Sequence, residues 1–308
     1  MKQKTLKLSK LYWVSLKAAI ADIQEKNVAL IAAGVAFYGM LSLFPALAAL
    51  VTILSLISDP VVVIAQLDDM RGLLPDDVYK IINEQVVTLV TASTGQLGWT
   101  GAISVLAALW SARAGVGAMM IGLNGVYNER NRNAARHYFS ALMLTLSLIF
   151  VGIVALVSVV IAPIVLSFLP LGVFGYFMAE IIRWSIAITV LLAGVGVLYR
   201  FGPNRRAARI GWLSFGAVFA VLSWAVLSIG FSYYVANFGN YNQVYGSIGA
   251  VIAMLVWLWI SSFLVLMGAS WNAQVELRTE PDTTVGRNRP PGKRGAYVAD
   301  NLGSADTE

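Results

Sequence analysis

The sequence contains no cysteine, which excludes disulfides, thiolate nucleophiles and cysteine metal sites. It has a single histidine, His137, and any His-rich metal centre or Ser-His-Asp triad would have to use it. Charge is scarce too. Asp, Glu, Lys and Arg make up 12% of the 308 residues, against about 25% in a soluble domain. So little polar surface cannot keep a body of this size in water. No P-loop, H-E-x-x-H or G-x-S-x-G occurs. Gly115-x-Gly117 and Gly194-x-Gly196 lie inside apolar runs and read as packing glycines. The acidic residues outside those runs show no metal-ligand spacing, so neither a cofactor nor an enzyme activity is expected. The basic start (Lys2, Lys4, Lys7, Lys10) lacks the short apolar core and small-residue site of a cleavable signal peptide.

What is abundant is hydrophobic sequence, 58% of the chain. A spanning helix needs about 20 mostly apolar residues. Six segments qualify, near 28–57, 99–123, 139–168, 177–199, 211–235 and 246–271. Alternate connecting segments hold 18 of the 22 basic residues. They lie before the first span, between spans two and three, between four and five, and in the tail. The segment 58–98 on the other side is acidic, with Asp59, Asp68, Asp69, Asp76, Asp77 and Glu84 against Arg71 and Lys80. By the positive-inside rule both ends lie in the cytoplasm. The same alternation accounts for the basic loops through topology, so no nucleic-acid partner is expected. The predicted fold class is all-α, a polytopic membrane helix bundle of six transmembrane helices.

The domain reading divides the chain into residues 1–27, a cytoplasmic or interfacial amphipathic helix; 28–277, the transmembrane domain with its periplasmic segment 58–98; and 278–308, a tail whose Pro, Gly, Arg and Asp content predicts disorder. In 6–25, Lys7, Lys10, Lys17 and Gln24 share one stripe while Leu8, Leu11, Trp13, Leu16, Ile20 and Ile23 cover much of the rest. That pattern suits a helix on an anionic leaflet, or one packed on the bundle's own end. A second amphipathic helix is predicted at 75–92. Pro45, inside the long first span, predicts a kink, a break or a strong tilt. Asn131–Arg136 (NRNAAR) resembles Asn204–Arg209 (NRRAAR), a match that duplicated helix pairs or shared turn chemistry would both explain.

Arg113 lies mid-span among small residues, where a charge costs at least about 2.5–3.5 kcal/mol unless paired or hydrated. It reads as an anion or lipid-headgroup contact, or as a structural tie. Pro45 and Tyr38 join it as candidate pathway residues of the first span. Asn124, Tyr127, Asn128 and Glu129 end the second span and read as an inner gate or as interface anchors. Glu180 and Arg183 form an i,i+3 pair at the outer end of the fourth span. Asn204 begins a basic turn. In 230–249, four glycines and three asparagines accompany Tyr241, Asn242 and Tyr245, a composition that predicts a specifically folded outer loop.

Several pieces occur together: Ala36-Phe37-Tyr38 with Phe44-Pro45; Ser111 to Asn128 through Arg113 and Asn124; Tyr199-Arg200-Phe201-Gly202-Pro203-Asn204; Tyr241-Asn242 with Tyr245-Gly246-Ser247; and Leu266-Met267-Gly268-Ala269 with Asn272 and Glu276. As a set, over about residues 10–277, they resemble the YihY/virulence factor BrkB family, formerly labelled ribonuclease BN. The family's usual Gly-Ala-Glu ending departs here, with Ser270 in the acidic place. The resemblance implies a six-helix protein of the bacterial inner membrane and supplies no settled activity. The nuclease label finds no metal-binding or acid–base cluster in this chain. The function expected is transport or flipping of an anionic amphiphile, a lipid or envelope precursor. The alternative is a non-transporting scaffold for envelope assembly. The partners expected are anionic lipid headgroups at the cytoplasmic face, and another copy of the chain or an envelope protein.

Overall fold

The computed structural model describes residues 8–57, 97–156, 172–237, 247–279 and 281–301. Eight helices are described: α1 (Leu8–Glu25), α2 (Val28–Ile57), α3 (Leu97–Val126), α4 (Ala134–Leu156), α5 (Val173–Phe201), α6 (Ile210–Asn237), α7 (Ser247–Leu277) and the short α8 (Tyr297–Asp300). Among the described residues there is no named strand, only an isolated bridge between Ala208 and Thr284. The predicted helix 75–92, and Tyr241, Asn242 and Tyr245 of the predicted outer loop, lie outside the described residues.

Five helices carry stretches long and apolar enough to cross a membrane: Val105–Val126, Ala134–Ala155, Phe177–Phe201, Phe215–Tyr234 and Val251–Leu277. Large apolar side chains on these helices are exposed, among them Trp110, Phe150, Phe174, Val226 and Ile229. Apolar surface on that scale is untenable in water and natural in lipid. α2 is 30 residues long and runs through Pro45 as one helical element, so the predicted break is not found. Proline removes the donor that would meet the carbonyl four residues earlier, at Leu41. One turn before it, the Ser42 hydroxyl donates to the Gly39 carbonyl at 2.7 Å, a local bond of the kind that bends helices.

The chain forms two compact units. The first comprises Met1–Ala32, Val116–Leu227 and Ser261–Glu308; the second comprises Ala33–Gly115 and Ser228–Ile260. In the first unit, α6 and α7 cross at glycine. A methyl group on Gly216 would come 2.2 Å from the Gly268 carbonyl oxygen, and one on Gly268 would come 2.4 Å from that of Gly216. Only glycine permits that approach. The contact is locked by the Asn272 side-chain oxygen, which accepts from the Gly216 amide at 2.8 Å. Tyr199 of α5 adds a bond to the Val265 carbonyl at 2.6 Å. In the second unit, α2 and α3 meet where a methyl on Gly115 would touch Tyr38 Cβ at 3.6 Å, and α6 and α7 are joined by Trp257 Nε1 donating to Ser228 Oγ at 3.3 Å.

α1 packs on the bundle's own helices. Ala19, Trp271 and Val275 form a small core with Leu11, Tyr12, Leu16 and Phe219 around it. Tyr12 stacks on Phe215 at 4.2 Å between centroids, and Trp271 Nε1 donates to the Tyr12 carbonyl at 3.0 Å. Trp13 and Ile20 point away from this contact and are exposed, beside exposed Lys10 and Lys17. The helix ends at Asn27, whose positive φ of 52° turns the chain into α2.

The tail corrects an expectation. Its composition predicts disorder, yet residues 281–301 fold back onto the turn before α6. Thr283, Thr284, Val298 and Ala299 are buried there. The Arg209 amide donates to Thr283, Val285 to Ala207 and Arg206 to Gly295, each over 2.8–2.9 Å. Gly286, at φ +93°, is also where a side chain would strike the Arg206 guanidinium at 2.5 Å. The polar tail gains through hydrogen bonds to a basic loop what it lacks in apolar surface.

Candidate functional site

The densest polar cluster lies in the first unit, at the basic end of its helices. It begins with how α3 stops. Asn128 takes the left-handed conformation (φ 54°). Its amide bonds the Gly125 carbonyl, and the Glu129 amide reaches the Asn124 carbonyl at 2.8 Å. These are the two bonds of a Schellman stop, with asparagine where glycine is usual. Asn128 therefore terminates a helix. Asn124 is buried and holds two turns together. Its amide nitrogen donates to Asn131 Oδ1 at 2.8 Å, and its oxygen accepts from the Asn204 amide at 2.7 Å. Asn204 also bonds the Arg130 carbonyl at 2.9 Å. The two similar hexapeptides, Asn131–Arg136 and Asn204–Arg209, thus meet through Asn124.

Beside them lies a buried ion pair. Arg205 donates through two nitrogens to both carboxylate oxygens of Glu276, at 2.7 and 2.5 Å. The side chains are 2% and 4% exposed. Thr283 of the tail donates to the same carboxylate. The guanidinium also lies 5.0 Å from the centroid of the buried Tyr127 ring. Burial opposes the charge on Arg205, but Glu276 outweighs it and holds the guanidinium above its ordinary pKa. The same burial pushes the Tyr127 phenol well up. Glu129 is raised as well, chiefly by burial, and accepts from the Tyr297 amide at 2.7 Å.

Several basic residues here are spent inside the chain. Arg132 donates to the carbonyls of Phe201, Gly202 and Pro203, capping the negative end of α5. Lys26 bonds Asp22 at 2.8 Å and the Val126 carbonyl at the end of α3 at 3.1 Å. Arg209 holds the carbonyls of Thr284 and Gly286. Arg130, Arg136, Arg287 and Lys293 remain exposed.

The structure thus brings Asn124, Glu129 and Asn204 together and explains Asn128 as a helix stop. It places Tyr38 and Arg113 in the second unit. The Arg113 guanidinium lies over the Trp110 ring, 5.1 Å from its centroid, and Arg113 is half-buried. Glu180 pairs with Arg183, and Trp184 Nε1 donates to the same carboxylate at 2.9 Å. That pair sits about 32 Å from Phe201 along α5, at the rise of a helix. Sequence reasoning missed the joint role of Arg205, Glu276 and Thr283. Its one signal was that Glu276 is the single charged residue of 247–277. Among the described residues, no three His, Cys, Asp or Glu side chains converge as metal ligands.

Five helices long and apolar enough to cross a membrane, joined by basic, hydrogen-bonded turns, define a multi-pass membrane protein. A model of the virulence factor BrkB family matches residues 19–293, and the chain belongs to that family. It is similar to the ribonuclease-like protein YfkH of Bacillus subtilis, 31% identical over 267 residues, 81% of this chain and 91% of YfkH. It also resembles UPF0761 membrane proteins. That of Tolumonas auensis is 36% identical over 84 residues, 27% of each chain. That of Pseudoalteromonas translucida is 26% identical over 166 residues, 52% of this chain and 53% of the relative. The chain thus spans about a quarter to a half of these UPF0761 relatives. No solved structure matches.

Proposed function

We propose that this protein moves an anionic amphiphile, a lipid or envelope precursor, across the bacterial cytoplasmic membrane, and that Arg113 is its mid-membrane contact. In this reading α2 completes a set of six spans and both ends lie in the cytoplasm. The observation that carries it is the placement of Arg113. The residue stands about 12 Å from Val105 and about 20 Å from Val126 along α3. Its guanidinium rests on Trp110, which is 61% exposed. A cation–π contact of this kind is worth about 0.5–2 kcal/mol. A guanidinium at this depth beside an exposed indole ring supplies the charge and the hydrogen-bond donors that an anionic headgroup needs. Pro45 lacks the amide that would meet the Leu41 carbonyl, and the Ser42–Gly39 bond lies one turn before it in α2, the helix that packs on Gly115.

The test is translocation of headgroup-labelled phosphatidylglycerol and phosphatidylethanolamine in proteoliposomes. Wild type should accelerate movement of the anionic lipid. Arg113→Ala should slow it about tenfold, the equivalent of one charged contact of about 1.5 kcal/mol. Equal rates in wild type, Arg113→Ala and protein-free vesicles would sink the proposal. A scaffold for envelope assembly is the second reading. It is favoured by the basic end, where Arg132, Arg205 and Arg209 are turned inward and the folded tail presents a fixed surface. Inert vesicles together with a specific envelope-protein cross-link to that surface would favour it.

A further inference from the structure

We infer that a cavity in the first unit holds one hydrocarbon chain of a membrane lipid. The cavity has a volume of about 240 Å³ and lies between α3, α5, α6 and α7. Its floor is formed by buried Met119, Ala220, Val221 and Ser262. Leu191 of α5 is 36% exposed and marks its mouth. Arg113 does not line it, and the inference is independent of translocation.

Three observations identify the occupant. The first is depth. Every lining residue falls within one of the crossing stretches. Counted along the helices, they lie about 9–24 Å from the basic ends. At that level the surrounding medium is acyl chain, with no aqueous solute to compete. The second is chemistry. The wall is almost wholly apolar, and its indole donor is engaged, Trp224 Nε1 bonding Ser261 Oγ at 3.1 Å. A buried water needs two to four polar partners, so water gains little there. The third is size. A dry cavity of about 150 Å³ accommodates benzene, or about 25 Å³ per carbon. By that ratio this one takes about nine or ten carbons, the outer part of a fatty chain and not a headgroup.

Trp224 reports on the site. The full chain is reconstituted in phosphatidylglycerol–phosphatidylethanolamine vesicles doped with phospholipid brominated on the acyl chain. The Trp224 signal is the emission of wild type less that of Trp224→Phe. Chain bromines should quench it, and bromines near the headgroup should not. Ser262→Leu fills the floor and Leu191→Phe narrows the mouth; each should lose most of the quenching while retaining helical circular dichroism. Two variants guard against misfolding of either one. No quenching of Trp224 in wild type would overturn the inference, because the cavity would then be empty or filled by protein. Undiminished quenching in both folded variants would overturn it too, because the bromines would then act only from the general lipid shell.

Discussion

The tie between Arg205 and Glu276 gives the sharpest stability test. The pair joins the turn before α6 to the end of α7, and Thr283 fastens the tail to the same carboxylate. Glu276→Ala would leave a guanidinium only 2% exposed with its counter-charge gone. Breaking a buried pair from one side costs about 3–5 kcal/mol, because the remaining charge stays desolvated. At about 2–4 °C per kcal/mol for a large domain, the midpoint of thermal unfolding should fall by about 6–20 °C. The assay is thermal unfolding of the purified protein in a mild detergent, followed by tryptophan emission. The double variant Arg205→Met/Glu276→Leu removes both charges and should recover at least half of the loss, since apolar replacements of buried pairs are often neutral. A Glu276→Ala protein within about 1 kcal/mol of wild type would refute the reasoning and show a solvated carboxylate. A double variant as unstable as the single one would show that the isolated charge is not the source of the loss.

Two further outcomes follow from the geometry. Gly216→Ala should destabilise by about 1–3 kcal/mol or more, since its methyl would sit 2.2 Å from the Gly268 carbonyl. Gly196→Ala, where nothing lies within 4 Å, should be neutral or slightly stabilising, and thermal unfolding of the pair checks both. Docking of the tail should be pH-dependent through Asp282. Burial pushes its carboxyl up, but bonds from the Thr284 amide and hydroxyl and from the Arg289 amide hold it below its ordinary value. A depressed carboxyl stabilises fully above its free pKa of about 3.9 and loses that contribution as pH falls through the folded value. Glu129 acts with the opposite sign, because its raised pKa favours the neutral acid. A dye on Asn301→Cys, a unique thiol in a chain without cysteine, should keep its anisotropy from about pH 8 to 5 and lose it below about pH 4. Release between pH 5 and 7 would contradict this, as would wild-type anisotropy in Asp282→Asn at neutral pH.

The sequence by itself determined the membrane class, the helical content and the rough place of the crossing segments. The reason is that these follow from local quantities: runs of apolar residues, scarcity of charge and the segregation of Lys and Arg into alternate loops. It also marked Arg113, because one charge in an apolar run is visible without any partner. Contacts between residues far apart in the chain were not legible. The pattern of 6–25 suited a lipid surface and a protein surface alike, and only packing on Phe215, Trp271 and Val275 showed that one face belongs to the bundle. Asn124, Tyr127, Asn128 and Glu129 read as one run, an inner gate or interface anchors; tertiary structure shows Asn124 as a clasp between turns, Asn128 as a helix stop and Glu129 as an anchor for the tail. The tail looked disordered because its composition offers little to bury. Its order comes from Arg206 and Arg209, more than 70 residues earlier, whose hydrogen bonds no local window contains. Composition sets the solvent a chain can occupy; which donors find which acceptors is settled only when distant segments meet.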